Sequence, residues 1–372
     1  MKAIGIILAG GNNNRMKELT AKRAVPALPV AGSFRSIDFA LSSMSNSHIQ
    51  TVAVLTQYNA RSLNEHLSSS KWWNFGRKQG GLFLFTPTVT ADNSDWYRGT
   101  ADAMYQNIDF LKRRHEPYVI ISSGDCVYKL DFNRVLDFHI EKKSDITVVC
   151  KDMMYNDDVS RFGVVRMDDE SRITEFDEKP IEASSNTIST GIYVIRRRQL
   201  IELLEAAAEE NRFDFVNDIL VRYKNVKKIY GYKINSYWNN IADIDAYFKT
   251  NMDFLKKDIR DYFFRQHPDV YSKVDDLPPA KYNPGSQVRN SLVSSGCIVN
   301  GVVENSVIFK KSYIGNNCVI KNSIILNDVY IGDNTHIENC IVESRDTIRA
   351  NSYFVGEGEV KIVVERNERY VI

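Results

Sequence analysis

The C-terminal part of this chain repeats itself with a period that leaves few folds open. Written in rows of 17 residues, Asn305–Lys321, Asn322–Glu338 and Asn339–Val355 each open with Asn, then Ser or Cys, then two apolar residues. Within each row apolar residues recur every six positions: Ile308, Ile314, Ile320; Ile325, Ile331, Ile337; Val342, Ile348, Phe354. Ile314-Gly315 and Ile331-Gly332 have the aliphatic-glycine opening of hexapeptide repeats. Three six-residue faces less one residue make a coil of 17, and such a coil buries its apolar edge only when another stacks on it. A helical coiled coil would need a period of about 3.5. The repeat therefore predicts a left-handed parallel β-helix over residues 286–372. A shorter coil, opening at Asn290-Ser291-Leu292-Val293, precedes the full rows.

Residues 1–250 read differently. Apolar runs at Ala3–Leu8, Thr51–Leu55, Tyr118–Ser122 and Asp145–Cys150 alternate with longer polar or amphipathic stretches. That alternation predicts an α/β domain with a doubly wound, mostly parallel, Rossmann-like sheet. Ligands of such sheets bind at the carboxyl ends of the strands, which points to the loops at Gly10 and Gly124. Residues 251–285 are charged and carry Pro268, Pro278, Pro279 and Pro284, and they read as a helix and then a linker.

The formal net charge is +1, so nothing electrostatic favours nucleic acid or an anionic membrane. No apolar run reaches the roughly 18 residues of a membrane span. The apolar N-terminus runs into Gly10-Gly11 without a cleavage pattern and reads as a strand, not a signal peptide. Five scattered cysteines without a C-x-x-C pair argue against zinc or redox chemistry and fit a reducing, cytoplasmic setting.

The run Leu8-Ala9-Gly10-Gly11-Asn12-Asn13-Asn14-Arg15 ends a strand in two glycines, polar residues and an arginine. Consecutive backbone N–H groups there can cradle a phosphate, and Arg15 can add a forked donor. The same run reads equally as a tight strand-to-helix turn.

Other motifs decide between these readings. They include Arg23-Ala24, Pro26-Ala27, Phe34-Arg35, Thr56-Gln57-Tyr58 and Trp96-Tyr97-Arg98-Gly99-Thr100-Ala101-Asp102-Ala103. Further on stand Ser123-Gly124-Asp125, Phe162-Gly163-Val164, Glu175-Phe176-Asp177-Glu178-Lys179-Pro180, Gly191-Ile192-Tyr193 and Tyr237-Trp238. With these at their spacing the chain resembles the ADP-glucose pyrophosphorylase (glucose-1-phosphate adenylyltransferase) family over nearly its whole length. That family makes ADP-glucose and pyrophosphate from ATP and glucose 1-phosphate by in-line attack at the α-phosphorus, so its catalysis rests on positioning and charge neutralisation. The resemblance implies that Leu8, Gly10, Gly11, Gly99, Thr100, Ala101, Asp102 and Gln106 hold the nucleotide, with Arg15 on the triphosphate. It implies Asp125 as the Mg²⁺ carboxylate, and Glu178, Lys179 and Ser189 for glucose 1-phosphate. Plainer roles stand beside these: Asp102 as a helix cap, Lys179 as a solvated surface lysine and Trp238 as core.

Departures from the pattern fall on the phosphate and metal apparatus. Active members read G-G-x-G-T-R-L in the first loop, where this chain has Asn13 and Asn14 for the last glycine and the threonine. Val25 stands where they carry a lysine, and Asn240 where they carry a second metal carboxylate. The pattern is similar to that of the regulatory subunit of glycogen-synthesising bacteria. It implies weak or absent catalysis, Mg²⁺ held weakly or not at all, and a catalytic homologue as partner in a hetero-oligomer of four subunits. ATP, ADP-glucose and glucose 1-phosphate remain as ligands. The alternatives are a fully active adenylyltransferase or related sugar-phosphate nucleotidyltransferase, and an acyltransferase built on the β-helix. For the last, His336 is the only histidine in the repeats and has no evident partner.

Overall fold

The computed structural model describes residues 2–11, 14–76, 80–89, 95–154 and 157–365. Nine strands form the sheet of the N-terminal part. They are β1 (Ala3–Ala9), β2 (Thr51–Thr56), β3 (Gly81–Phe85), β4 (Tyr118–Ser123), β5 (Ile146–Asp152), β6 (Gly163–Met167), β7 (Ile173–Glu178), β8 (Thr187–Arg196) and β9 (Ile229–Lys233). Their order is β7-β6-β8-β4-β1-β2-β3, with β5 also paired to β8 and β9 to β5. The half formed by β3, β2, β1 and β4 is parallel throughout. β1 is apolar on both faces because it is central and covered on both sides. The helix Ser36–Asn46 lies so close to it that a Cβ on Gly5 would come within 2.4 Å of Met44 Sδ.

β8 runs antiparallel to both β4 and β5. Strand direction leaves no mark in a buried apolar run, so the alternation of strands and helices could not reveal this insertion. A two-stranded ribbon, Cys126–Tyr128 with Trp238–Asn240, stands beside the sheet. Helices Ile244–Asp253 and Lys257–Phe264 follow, the first capped by Asp243, which accepts from Ala246 N at 2.8 Å. The extended segment beyond them is tied down by buried Asp38, which accepts from Ser272 Oγ (2.6 Å) and Arg35 N (2.8 Å) and bonds His66 Nε2 (2.7 Å).

The C-terminal part is three five-stranded parallel sheets, one per face of the β-helix, beginning at Lys281–Tyr282. The rows of 17 stack in register: Ile314 on Ile331 on Ile348, Ile320 on Ile337 on Phe354, Ile308 on Ile325 on Val342. The preceding coil is shorter by two, with Asn290 and Asn305 bonded across 15 positions and Asn317 and Asn334 across 17. The recurring Asn-Ser opening now has a cause. Asn290, Asn305, Asn322 and Asn339 turn a corner with φ between 41° and 52°, which Asn tolerates better than most residues. Behind them Ser323 N donates to Ser306 Oγ and Cys340 N to Ser323 Oγ, both at 3.1 Å, forming a ladder from coil to coil.

One β-helix face is covered by the N-terminal part. Val307, Phe309, Ile324, Leu326 and Ile341 share a core with Met16, Leu19, Val25, Leu28, Phe39, Phe254 and Phe263. Each large side chain buried there contributes about 1.5–3 kcal/mol. Arg23 crosses the same junction to pair with Glu343 and to donate to Ser344 Oγ at 3.2 Å.

Candidate active site

The loops that leave the carboxyl ends of β1, β2 and β4 converge. A Cβ on Gly10 would lie 3.2 Å from Gln57 Cβ, and one on Gly124 would lie 3.2 Å from Pro26. Between these loops opens a cleft of about 480 Å³. Leu8, Gly10, Gly11, Gly99, Thr100 and Asp125 line it, together with Val25, Pro26, Gln57, Tyr58, Tyr97, Arg98 and Ser123. Five positions expected at the nucleotide and the expected metal carboxylate thus meet in one place, and so does Val25. Asn13 lies outside the described residues.

Other expected residues are placed elsewhere. Gln106 turns away from the cleft and donates to Asp102 Oδ2 at 3.0 Å, because the two sit one turn apart on one helix. The glutamine in the cleft is Gln57, which accepts from Tyr97 N at 2.7 Å and fixes the aromatic segment against β2. Asp102 is 4% exposed and accepts from Arg98 N at 2.8 Å, tying the segment before the helix Thr100–Tyr105 to that helix's first turn. Ala101 is buried beneath it. The N–H groups of Ala101 and Asp102 both donate to Phe213 O, at 2.8 and 3.2 Å. A carbonyl therefore occupies the donors that a helix start would otherwise offer a phosphate. Gly99 permits this approach, since a Cβ there would lie 2.3 Å from the same oxygen.

Asp125 sits at the base of the cleft and accepts from Ser123 Oγ at 2.5 Å. The ribbon brings Asn240 next to it: Asn240 pairs with Cys126, and Ile241 N donates to Asp125 O at 3.0 Å. The Asn240 oxygen is already engaged, accepting from Ala242 N at 3.0 Å, and its amide donates to Cys126 Sγ at 3.4 Å. Burial, with Asp125 adding to it, pushes the Cys126 thiol well above its ordinary pKa, so it stays protonated. The carboxylate here is Asp125, and beside it stands a neutral amide whose oxygen is already bonded. Among the described residues no group of three or more His, Cys, Asp or Glu gathers to hold a metal.

Of the residues expected at the sugar phosphate, Ser189 lies on β8 and Glu178 ends β7. Gly191 lies against Ser123, a Cβ there coming 3.5 Å from Ser123 Cβ, and Ser189 Oγ is 3.3 Å from Tyr193 Oη. Burial raises the Tyr193 phenol, helped by Glu178. Glu178 pairs with Lys179 at 3.1 Å, and the Lys179 side chain is 61% exposed.

A second cleft of about 440 Å³ begins at Asn240, a feature that sequence reasoning missed. Arg161 pairs there with Asp243, beside Asp157, Asp158, Trp238 and Lys249. Trp238 is 3% exposed and its indole N–H has no hydrogen-bond partner among the described residues. Arg15 is exposed, and its charge is felt at Asp158 and Arg161. Nothing in sequence spacing joins Arg161 to Asp243, and only their contact reveals them.

Comparison with known proteins fits this layout. Residues 4–257 match the nucleotidyl transferase family and residues 278–361 the GlmU-like C-terminal hexapeptide family. The glucose-1-phosphate adenylyltransferase of Clostridium novyi (strain NT) is 38% identical over 317 residues, 84% of this chain and 83% of that one. That of Clostridium acetobutylicum is 40% identical with the same coverage. That of Pseudothermotoga lettingae is 39% identical over 319 residues, 85% of this chain and 76% of that one. The chain belongs to the glucose-1-phosphate adenylyltransferase family. In a member of this family the nucleotidyl transferase part carries the cleft, and the hexapeptide part supplies the wall behind Val25. No helix among the described residues is long and apolar enough to cross a membrane.

Proposed function

We propose that this chain is a subunit of a glucose-1-phosphate adenylyltransferase assembly that binds substrates but turns them over weakly or not at all alone, and that regulates a catalytic homologue in a cytoplasmic hetero-oligomer of four subunits. The observation that carries this is that the first cleft is lined by Val25 and a single carboxylate, Asp125, while Asn240, paired with the neighbouring Cys126, opens into the second cleft. In the family reaction a phosphate oxygen of glucose 1-phosphate attacks the α-phosphorus of ATP, and the bond to the bridging oxygen breaks as pyrophosphate leaves. Charge builds on phosphate oxygens, and an electrostatic donor aimed there is commonly worth about 3–4 kcal/mol. Mg²⁺, when bound, would neutralise part of that charge. In this chain the Gly10–Gly11 backbone can approach the phosphates, Gln57 and Tyr97 shape the nucleotide wall, and Asp125 is the remaining carboxylate. Val25 supplies no charge.

A second reading, an active enzyme, is favoured by the retained Gly10–Gly11 pair, by Asp125 and by 38–40% identity to proteins named as the enzyme. One assay separates the two: pyrophosphate release from ATP and glucose 1-phosphate, measured for the chain alone, for a catalytic homologue alone and for the two co-purified. We expect negligible turnover alone and altered kinetics in the complex. Turnover of this chain by itself at ordinary enzyme rates, about 1–10³ per second, would sink the regulatory reading.

A further inference from the structure

Two large aromatic side chains stand in water at the mouth of the first cleft: Trp96 is 60% exposed and Tyr58 41%. Their rings stack, with centroids 5.8 Å apart and planes 12° from parallel. Tyr58 lines the cleft, and Trp96 backs it from outside the lining. Gln57, next to Tyr58, holds both backbone groups of Tyr97, next to Trp96. Its Oε1 accepts from Tyr97 N at 2.7 Å, and its Nε2 donates to Tyr97 O at 3.3 Å. The stack is therefore set by the register of two fastened segments. A ring pair kept out of the core forgoes the free energy of burial, and in return offers a rigid face on which a flat heterocycle can stack.

We propose that the cleft holds a nucleobase by its face, on the Tyr58 ring backed by Trp96, and so accepts purine nucleotides as a class instead of adenine alone. This rests on the reading that the chain still binds nucleotides. The polar side chains that could read the edge of a base are engaged with the protein itself. Both ends of the Gln57 amide hold Tyr97, and Gln106 lies outside the cleft on Asp102. Thr100 Oγ1 accepts from Phe215 N at 2.8 Å, and Tyr97 Oη accepts from Asn107 Nδ2 at 2.9 Å. The Arg98 guanidinium lies 3.8 Å over the Phe213 ring. Strong discrimination between similar ligands needs a site group that the wrong one leaves unpaired. Stacking makes no such demand, because every base has a π-face. A purine covers Tyr58 more fully than a pyrimidine does.

Titration calorimetry of the whole chain with ATP, GTP, UTP and inorganic tripolyphosphate, without added metal, tests this. The unaltered chain should bind ATP and GTP within about threefold of each other and UTP more weakly than either. Tyr58→Ala should weaken both purine nucleotides at least about tenfold and leave tripolyphosphate unchanged, a split that general damage to the fold would not produce. Tyr58→Phe keeps the ring and should stay within about twofold of the unaltered chain. Exposed Trp96 should report the same event as a change in tryptophan fluorescence that Trp96→Phe removes. Should Tyr58→Ala not fold, the ratio of ATP to GTP binding in the unaltered chain decides alone. A preference for ATP over GTP above about tenfold overturns the inference, and so does ATP binding that Tyr58→Ala leaves intact. Either result leaves the substrate-binding reading standing. If no nucleotide binds at millimolar concentration, that reading falls and the inference falls with it.

Discussion

The β-helix and the cleft are built on opposite plans. In the β-helix each residue meets its own counterpart one coil away: Ile320 meets Ile337, Ser306 meets Ser323, and Asn317 meets Asn334. The contacts are local and repeated, and they are interchangeable in kind. In and around the cleft each contact occurs once and spans the chain: Gly10 against Gln57, Gly124 against Pro26, and Phe213 O on the N–H groups of Ala101 and Asp102 at the helix start. Periodic structure distributes stability evenly, whereas convergent structure concentrates chemistry at a few positions that nothing else can replace. The substitutions expected to weaken catalysis, Val25 and Asn240, lie in the convergent region and leave the scaffold intact.

The largest effect should come from the repeats. Ile320→Ala removes a fully buried side chain from the middle of the stack and should cost about 2–5 kcal/mol in denaturant unfolding. Ile337→Ala should cost nearly the same, because the two positions are equivalent. A twofold or greater difference between them would break the picture of an even stack.

A pH effect should belong to the other region. His139 is 1% exposed, its Nδ1 is 2.9 Å from Thr147 Oγ1, and burial, reinforced by Arg196 and opposed by Asp145, holds its pKa down at about 4. As pH falls below about 6.5 the unfolded chain takes up a proton there and the folded chain does not, so stability declines until about pH 4. The full loss is about 3 kcal/mol. Urea midpoints at pH 7 and 4.5 should show a steeper decline for the unaltered protein than for His139→Gln. Equal slopes would mean that the folded histidine titrates freely.

The smallest effect in energy is the most informative. Val25→Lys, Asn240→Asp and Asn13→Gly together should raise ADP-glucose synthesis by the isolated chain at least about tenfold, which asks for about 1.4 kcal/mol. Single changes should do little, because groups that act on one transition state are not additive. Asp125→Asn should abolish the gain. A folded triple variant with unchanged, negligible turnover would put the defect outside the cleft's base.

The two regions were also unequally legible in the sequence. The β-helix register, its shorter first coil and its Asn corners follow from a period that can be counted, because coil geometry ties sequence distance to spatial distance. The parallel half of the sheet was visible as apolar runs. The antiparallel β8 was not, since direction leaves no trace in composition. In the cleft, Gly10, Gly11, Gly99, Thr100 and Asp125 were reached through motifs. Gln57 and Gln106 have the same chemistry, and only helix phase, which holds Gln106 on Asp102, tells which one faces the cleft. Arg161 and Asp243 read as two ordinary surface charges until the chain folds.

The core shared across the junction has a consequence for the order in which the protein can be made. Met16, Leu19, Val25 and Phe39 are synthesised before the rest of the N-terminal part, yet their packing partners Val307, Phe309, Ile324 and Ile341 follow only after all of it. At typical elongation rates of about 5–20 residues per second, the early segment waits on the order of tens of seconds with its apolar side unmatched. The strands of the sheet can assemble meanwhile, but the wall of the cleft that includes Val25 is completed only when the coils arrive. The nascent chain therefore carries an exposed apolar surface until the coils are made, and a chaperone would find its binding site there.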